Sequence, residues 1–231
     1  MPRVSIIVPV LDEARAIEAA LGVLQEARRS GASEVVVVDG GSTDATRSLA
    51  APLADRVIEA PRGRALQMNA GAAASDGDIL LFLHADTRLP PGALDRIRAA
   101  LEGERKWGRF DVIIDAPGPL LSIVAWFMNA RSRLTGIATG DQAIFVRRAV
   151  FEAAGGFPPI PLMEDVALSK SLARWSRPAC LHDRVTTSGR RWERHGTLRT
   201  IVLMWRLRAA YALGADPHTL ARRYDVERTS G

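Results

Sequence analysis

The sequence holds a single cysteine, Cys180, and this scarcity excludes two kinds of protein. One cysteine cannot form a disulfide within the chain, so the fold must be stable without covalent cross-links. A zinc site built from cysteine pairs is excluded for the same reason. A reducing compartment fits this composition. We expect a cytoplasmic protein, because the chain opens into an apolar strand-like run without the pattern of a signal peptide.

Long apolar runs are also lacking. The longest stretch without a charged residue, 116–130, is shorter than the roughly 20 residues that a membrane-spanning helix needs. A spanning helix is therefore not predicted. Peripheral contact with the inner face of a membrane stays open, because residues 199–213 mix apolar side chains with Arg199, Arg206 and Arg208 as an amphipathic helix would. A packed terminal helix is the alternative interpretation.

The signatures of several nucleotide-binding and nucleic-acid-binding classes are missing. The turn after the first strand reads PVLDEA, without GxGxxG, and no Walker A pattern occurs. Recognition helices, RNP-like strands and zinc fingers are lacking, so we predict no nucleic-acid partner. From Arg174 onward the chain has 12 arginines and 5 acids, a net charge of +7 against −2 for the rest. This basic segment suits anionic lipid, a phosphorylated ligand or plain solvation.

The first half of the sequence alternates regularly between strand-like and helix-like runs. This βαβ order predicts an α/β fold with a mostly parallel central sheet flanked by helices. The second half is less regular and ends in a helical extension. Strands are predicted at 4–8, 34–38, 56–59, 79–83, 110–114 and 143–146, and helices at 13–28, 44–51, 65–74, 120–134, 164–175 and 199–213.

The stretch VVVVDGGSTDAT, residues 35–46, is the strongest single sign of a site. Its four valines favour a strand that is buried on both faces. Asp39 would sit at the carboxyl end of that strand, where open α/β sheets bind ligands. An ordinary strand-to-helix turn is the alternative for this segment alone. Asp12, Glu13 and Asp86 also follow strands, so parallel strands would bring these acids to one edge of the sheet.

These segments, in this order, resemble the inverting, nucleotide-sugar-dependent glycosyltransferases of family 2, which have the GT-A fold. VSIIVPVLDEA resembles the opening strand with its Pro-x-x-Asn-Glu turn, VVVVDGGSTDAT the Asp-Asp-Gly-Ser-Thr-Asp segment, and LLFLHADT the DxD strand. GRALQMNAG is similar to the Gly-Lys-x-x-Ala-x-Asn-x-Gly loop, GDQAIFVRRAVFEAAGGFP to the acceptor-side strand and helix, and MEDVALSKSL to the Glu-Asp motif. The bacterial radical-SAM/selenodomain-associated transferases look most similar.

The resemblance implies a GT-A domain over 1–195 and a nucleoside diphosphate sugar, a UDP- or GDP-sugar, as donor. A nucleotide-binding half would span 1–100 and an acceptor-binding half 101–195, followed by basic amphipathic helices over 196–231. In the family, the acid that matches Asp39 binds the nucleotide base. The implied nucleotide-binding residues are Pro9, Leu11, Glu13, Asp39, Gly63, Arg64, Ala85 and Asp86.

Two of these positions bear on the nucleotide itself. Leu11 stands where many members of the family carry an aromatic residue that stacks on the base, so the identity of the base stays open. Arg64 takes the place of the lysine in the family's loop. A guanidinium at this point suits the oxygens of a diphosphate.

A divalent cation, Mn or Mg, is implied as cofactor, because it would bridge a carboxylate and the diphosphate of the donor. Asp86 is the implied ligand. The first acid of the DxD motif is replaced here, which gives His84, Ala85 and Asp86. Histidine can bind Mn²⁺ but suits Mg²⁺ poorly, so His84 is either a ligand or a supporting residue. His195 is a further candidate ligand, with an ordinary polar contact as the alternative.

The resemblance assigns catalysis to Asp165, as the general base that takes the proton of the acceptor hydroxyl, with Glu164 as its supporting neighbour. The alternative is that both acids simply favour the first turn of a helix. Downstream, SGRRW resembles the family's Gln-x-x-Arg-Trp motif with Ser188 in place of Gln. Arg191 would then stabilise the leaving diphosphate, and Trp192 would pack against a sugar.

Asp141 and Gln142 are further implied on the acceptor side, where they would hold sugar hydroxyls. The predicted activity is a metal-dependent, inverting transfer of a sugar to an acceptor hydroxyl. A sugar nucleotidyltransferase and a catalytically silent nucleotide-sugar-binding module are the alternatives. The apolar residues 120–128 and the basic terminal helix fit a lipid-linked acceptor, without identifying it. The oligomeric state stays open.

Overall fold

A mixed sheet forms the centre of the protein in a computed structural model that describes residues 1–190, 192 and 196–229, the last five without their side chains. Its strands are β1 (Val4–Val10), β2 (Ser33–Asp39), β3 (Arg56–Glu59), β4 (Ile79–Phe82), β5 (Thr87–Arg88), β6 (Trp107–Asp115), β7 (Phe145–Arg147) and β8 (Ala179–Ser188). They lie in the order β3-β2-β1-β4-β7-β6-β8-β5.

The two halves of the sheet differ in strand direction. Strands β3, β2, β1 and β4 are parallel neighbours, as the βαβ pattern predicts. In the second half, β7 pairs antiparallel with β4 and β6, β8 runs parallel to β6, and β5 is antiparallel to β8. The predicted α/β fold is confirmed. Because β1 to β4 are all parallel, their carboxyl ends share one edge of the sheet.

Helices cover both faces of the sheet. They are α1 (Ile17–Gly22), α2 (Gln25–Arg29), α3 (Thr46–Ala50), α4 (Arg64–Ala73), α5 (Ala93–Leu101), α6 (Pro119–Thr135), α7 (Arg148–Ala153), α8 (Glu164–Leu172), α9 (Thr197–Ala212) and α10 (Pro217–Thr229). Strand β2 shows how the layers form. Val35 and Val37 enter one apolar cluster, Val36 and Val38 the other, and all four are fully buried.

The single helix predicted over 13–28 is wrong, because two short helices take its place. The backbone N–H of Glu13 donates to Thr46 Oγ1 at 2.8 Å, and the N–H of Ala14 donates to Asp44 at 3.1 Å. These bonds tie the segment before α1 to the loop after β2. The regular helix α1 begins only after this tied segment, at Ile17.

The terminal helices α9 and α10 pack on the start of α8. Met163, Val166, Leu207 and Leu220 form a buried apolar cluster there, and Lys170 Nζ lies 5.2 Å from the centre of the Tyr211 ring. The predicted helical extension is confirmed, and part of it belongs to the packed body. Within the described residues, no helix has both the length and the apolar character needed to cross a membrane.

Candidate active site

The loop after β2 is built around Asp39, which is only 1% exposed. The carboxylate accepts the backbone N–H of Gly41 at 3.2 Å and that of Ser42 at 3.0 Å. The Ser42 hydroxyl donates to it as well. Asp39 therefore holds the turn in place through these hydrogen bonds. A nucleotide base would bind the lone pairs of the carboxylate that these bonds leave free.

The turn after β1 is braced against the same loop. Asp12 has a left-handed backbone with φ of 52°, and its carboxylate accepts the Thr43 N–H at 2.8 Å. In return, the Asp12 N–H donates to Ser42 Oγ at 2.9 Å. Pro9 and Leu11 flank this turn, Pro9 within β1 opposite Val38. The two segments predicted to hold the nucleoside thus form one interlocked wall.

Gln67, on α4, supports this wall and was missed by the sequence analysis. Its buried amide donates 2.9 Å bonds to the backbone oxygens of both Val10 and Val38. A Cβ on Gly40 would lie 3.0 Å from that amide, so this glycine allows the close approach. In the sequence, the sign of this role is a polar residue on an otherwise apolar helix face, inside the GRALQMNAG segment.

A cavity of about 200 Å³ opens beside Asp86. Within the described residues, the side chain that hydrogen-bonds the Asp86 carboxylate is Thr87, at 3.4 Å. A divalent cation that also binds a diphosphate needs only one or two protein carboxylates. The Asp86 carboxylate therefore suits such an ion. Other residues that line the cavity are Arg15, Ala85, Arg88, Asp115, Ser188 and Arg190.

Arg190 lies at the cavity and contacts the predicted nucleotide turn. Its guanidinium lies 3.7 Å from the Glu13 carboxylate and donates to Ser188 Oγ at 3.1 Å. Burial raises the pKa of Glu13, while Arg190 opposes that rise. The likeness of SGRRW to the family motif implies the neighbouring Arg191 instead. Arg191 and His195 lie outside the described residues.

A second, smaller pocket of about 10 Å³ brings His84, Gly140, Glu164 and Asp165 together. The Gly140 N–H donates to Asp165 Oδ2 at 2.9 Å, and His84 Nδ1 lies 3.4 Å from Asp141 Oδ1. A Cβ on Gly140 would lie only 2.5 Å from the His84 ring, so the packing requires glycine here. His84 therefore faces the predicted acceptor-side residues, whereas Asp86 faces the larger cavity.

Glu164 and Asp165 open α8 directly after Met163, whose backbone is left-handed with φ of 68°. Burial, and then the neighbouring Asp165 charge, raise the pKa of Glu164 to about 7, while Arg64 and His84 oppose the rise. Of two adjacent carboxyl groups, the buried one thus holds a proton near neutral pH. Asp165 Oδ1 accepts the Val166 N–H at 2.7 Å. The helix-start interpretation and the site interpretation are therefore compatible.

Arg64, the first residue of α4, belongs to this acidic pocket. Burial alone would lower its pKa, but the charges of Glu164, Asp141 and Asp165 outweigh that effect and raise it. Gly63 precedes it with φ of 140°, a backbone conformation that favours glycine. The structure thus places Arg64 among the acids of the acceptor side, at the end of the predicted nucleotide loop.

Two predicted acceptor residues are turned inward. Gln142 is fully buried and forms a capping box with Thr139, so Asp141 is the more exposed member of that pair. Trp192 packs, partly buried, against the apolar cluster of β6 and α6.

Among the described residues, no three His, Cys, Asp or Glu side chains converge as a metal site.

Comparison with known proteins gives a family for this arrangement. Residues 5–152 match the model of the family described as Glycosyl transferase family 2. The uncharacterized glycosyltransferase alr2836 of Nostoc sp. is 37% identical over 71 residues, which covers 28% of this chain and 22% of that protein.

Solved glycosyltransferase structures share the fold. Mannosyltransferase PcManGT from Pyrobaculum calidifontis, in complex with GDP-Man and Mn²⁺, is 26% identical with a TM-score of 0.63, over 90% of this chain and 61% of that chain. TarS of S. aureus with UDP-GlcNAc is 19% identical with a TM-score of 0.64, over 80% and 58%. Glucosyl-3-phosphoglycerate synthase from Mycobacterium tuberculosis, in complex with Mn²⁺, UDP and glucosyl-3-phosphoglycerate, is 18% identical with a TM-score of 0.59, over 80% and 71%. The chain thus spans about three fifths of the first two structures, and the predicted GT-A fold is confirmed.

Proposed function

The chain belongs to glycosyl transferase family 2, and from this premise we propose that it moves a sugar from a nucleoside diphosphate sugar to an acceptor hydroxyl by an inverting displacement. The observation that carries the proposal is the position of Asp165. Its carboxylate stands at the start of α8, fixed by the Gly140 N–H, in the pocket shared with His84. His84 lines that pocket and belongs to the segment that follows β4. The end of the bound donor would lie beside this segment.

Asp165 is the general base of this proposal. A base contributes a factor of about 10² to 10⁴ to the rate of such a step. Glu164 supports it because burial raises the pKa of Glu164 to about 7. With a proton on Glu164, the negative charge of the pair stays on Asp165, which then takes the hydroxyl proton. Residues 101–195 would supply this acceptor half and residues 1–100 the nucleotide half.

The donor would lie along the wall of Asp39 and Glu13, with its diphosphate near Asp86. PcManGT was solved with GDP-Man and Mn²⁺, and this supports a GDP- or UDP-sugar and a divalent cation for this chain too. Asp86 would hold the cation, which when bound supplies positive charge for the leaving diphosphate. Arg190 stands at the same cavity and is placed to add a second positive charge.

Thermal unfolding with and without nucleotides tests donor binding. A ligand at 100 times its Kd stabilises the folded chain by about 2.7 kcal/mol, which raises the Tm by roughly 5 to 10 °C for a chain of this size. We expect this rise with GDP or UDP and Mn²⁺, and its loss in Asp86→Asn. The matched control is Asp95→Asn, on the exposed side of α5. Equal Tm with and without every nucleotide would refute the proposal.

Asp165→Asn tests the base. We expect nucleotide-dependent stabilisation to survive, while release of nucleoside diphosphate from donor and a panel of hydroxyl acceptors falls at least a hundredfold. A variant that keeps near-normal turnover would show that another group is the base. Release of pyrophosphate from a nucleoside triphosphate would instead favour a nucleotidyltransferase.

We also propose that the acceptor is lipid-linked and that the protein works in the cytoplasm, docked on an anionic membrane. Helix α6 exposes Trp126 and Phe127, and α9 exposes Trp205 next to the exposed Arg206. Indole rings favour the membrane interface, and arginine adds attraction to anionic lipid.

The motif likeness to the radical-SAM/selenodomain-associated transferases supports a place in that group.

Vesicle co-sedimentation checks this docking. We expect binding to vesicles that contain phosphatidylglycerol, weaker binding to pure phosphatidylcholine, and loss of binding in the double variant Trp126→Ala, Trp205→Ala. Trp175→Ala is the control, because it removes a half-exposed tryptophan that lies outside α6 and α9. Equal binding by the double variant and the control would rule out docking through these two tryptophans.

A further inference from the structure

The side chains of His84 and Asp86 face different pockets, although only Ala85 separates them in the chain. Among the described residues, the lining of the larger cavity includes Ala85 and Asp86 but not His84. The smaller pocket is lined by His84 together with Glu164 and Asp165. A cation bound by Asp86 in the larger cavity would therefore lie outside the pocket that the His84 ring lines.

The His84 ring lies against a short 3₁₀ turn, Gly140–Gln142, which we call the 140–142 turn. A Cβ on Gly140 would lie 2.5 Å from Cε1 and 2.6 Å from Nε2 of His84, so the ring packs directly on this glycine. The other ring nitrogen, Nδ1, lies 3.4 Å from Asp141 Oδ1, and the His84 side chain is only 13% exposed. Both nitrogens of the ring thus lie against consecutive residues of one turn.

The 140–142 turn is anchored to the sheet on its other side. Gln142 is fully buried and forms a capping box with Thr139. Its side-chain amide donates to Asn129 Oδ1 at 3.3 Å. The Asn129 amide in turn exchanges hydrogen bonds of 2.9 and 3.0 Å with the backbone of Val112 in β6. The fold therefore fixes the surface that Gly140 offers to the His84 ring.

The same turn holds the candidate base. The Gly140 N–H donates to Asp165 Oδ2 at 2.9 Å, so this one glycine contacts both His84 and Asp165. The other carboxylate oxygen, Oδ1, accepts the N–H of the adjacent Val166 at 2.7 Å. Gly140 thus supplies a hydrogen bond that ties the Asp165 carboxylate to a separate segment of the chain.

The backbone of His84 connects this arrangement to the candidate metal ligand. The Thr87 N–H donates to the His84 carbonyl oxygen at 3.0 Å, which closes a tight turn that contains Asp86. His84 therefore meets Asp86 through its backbone and Gly140 through its ring. Transfer in a single displacement requires donor and base in one alignment, and a misplacement of about 1 Å can cost a factor of about 100 in rate.

We propose that His84 is a positioning residue, which packs on Gly140 and thereby sets the Asp165 carboxylate relative to Asp86, and that it is not a ligand of the cation. This inference rests on the proposed function, because it takes Asp165 as the base and Asp86 as the metal ligand. It assigns a task to the residue that replaces the first acid of the DxD motif.

The charges around position 84 explain why an acid is absent there. An aspartate in place of His84 would face Asp141, Glu164 and Asp165, and like charges at short range repel each other. Restoring the acid of the family's motif should therefore impair this enzyme.

Binding of Mn²⁺ in the presence of GDP or UDP tests whether His84 is a ligand, with the electron paramagnetic resonance of the free ion as the readout. We expect His84→Ala to keep the Mn²⁺ affinity within about twofold and Asp86→Asn to weaken it at least tenfold. The matched control is His218→Ala, which removes an exposed histidine of α10. Equal weakening by His84→Ala and Asp86→Asn would show that His84 is a ligand and would overturn the proposal.

The Gly140 amide reports on the bond to Asp165. In protein labelled with ¹⁵N-glycine, we expect its hydrogen exchange to accelerate about five- to tenfold in His84→Ala, as when one hydrogen bond loses its support. The amide of Gly108, buried in β6, should stay within about twofold. His84→Asn keeps an N–H donor for Asp141 and should recover part of the protection. Unchanged exchange at Gly140, or equal acceleration at Gly108, would overturn the positioning role.

Turnover separates positioning from packing alone. With GDP-mannose and UDP-N-acetylglucosamine as donors, and with water or a panel of alcohols as acceptors, His84→Ala should lower kcat about 10- to 100-fold. The KM for the donor should stay within about twofold, and His84→Asp should be no more active than His84→Ala. Recovery of turnover in His84→Asp, together with tighter Mn²⁺ binding, would show that position 84 holds the cation.

The remaining outcomes separate this inference from the proposed function. A wild type that binds nucleotide and Mn²⁺, with kcat and Gly140 exchange equal in all His84 variants, overturns the positioning role alone. A wild type that binds neither nucleotide nor Mn²⁺ overturns the proposed function, and this inference with it.

Discussion

Replacing Glu164 by glutamine should change how the stability of the protein depends on pH. Glu164 is 5% exposed, and burial raises its pKa from 4.5 to about 7. The folded chain therefore holds this proton more tightly than the unfolded chain does. The contribution of Glu164 to the free energy of unfolding is greatest below pH 4.5 and falls as the pH rises toward 7. In this range the unfolded chain has lost the proton, so folding requires either the uptake of a proton or the burial of a charge.

The size of the effect follows from the two pKa values. Each tenfold change in acid dissociation is worth about 1.4 kcal/mol, so the full contribution is about 3 kcal/mol. Between pH 5 and pH 8, about 2 to 3 kcal/mol of it should be lost in the wild type. Glutamine cannot ionise, so the variant should gain that amount relative to the wild type over the same interval.

Urea unfolding at pH 5 and pH 8 measures this difference. Glu18→Gln, which removes an exposed glutamate from α1, is the control for the loss of one carboxylate. Asp165→Asn provides a second check, since the Asp165 charge contributes to the rise and its removal should reduce the pH dependence. A stability difference between wild type and Glu164→Gln that is the same at both pH values would refute the reasoning.

Two further substitutions probe the walls of the site. Gln67→Leu should destabilise the protein by about 2 kcal/mol in urea unfolding, because the buried oxygens of Val10 and Val38 lose their donor; unchanged stability would contradict this. Gly140→Ala would put a Cβ 2.5 Å from the His84 ring, so we expect a stability loss of about 1 to 3 kcal/mol and a large loss of turnover. Normal turnover in a folded Gly140→Ala would show that this contact is not needed.

The sequence predicted those parts of the fold and site that depend on local patterns. The run of valines in β2 is buried on both faces because its neighbours are parallel and covered by helices. Asp39 is the last residue of that strand and pairs with the last residues of β1 and β3, as the pattern predicts. The paired acids Glu164 and Asp165 open a helix, as the apolar spacing after them indicates.

The parts that the sequence did not predict depend on contacts between distant segments. Where a helix was expected over 13–28, Thr46 and Asp44 tie residues 13 and 14 to the loop after β2, and α1 begins only at Ile17. The role of Gln67 arises from two strands that only the folded sheet brings together. Likewise, nothing near Arg190 in sequence shows that it faces Glu13, 177 positions earlier. No local periodicity contains such information.

The left-handed backbone of Asp12 explains one letter of the turn motif. The family's motif has asparagine where this chain has Asp12, whose φ is 52°. Asparagine and aspartate tolerate this conformation better than other residues with a side chain, and each offers an oxygen for the Thr43 N–H. Glycine would supply the backbone but not the oxygen. The position therefore reflects a demand of chain geometry, which aspartate and asparagine both meet.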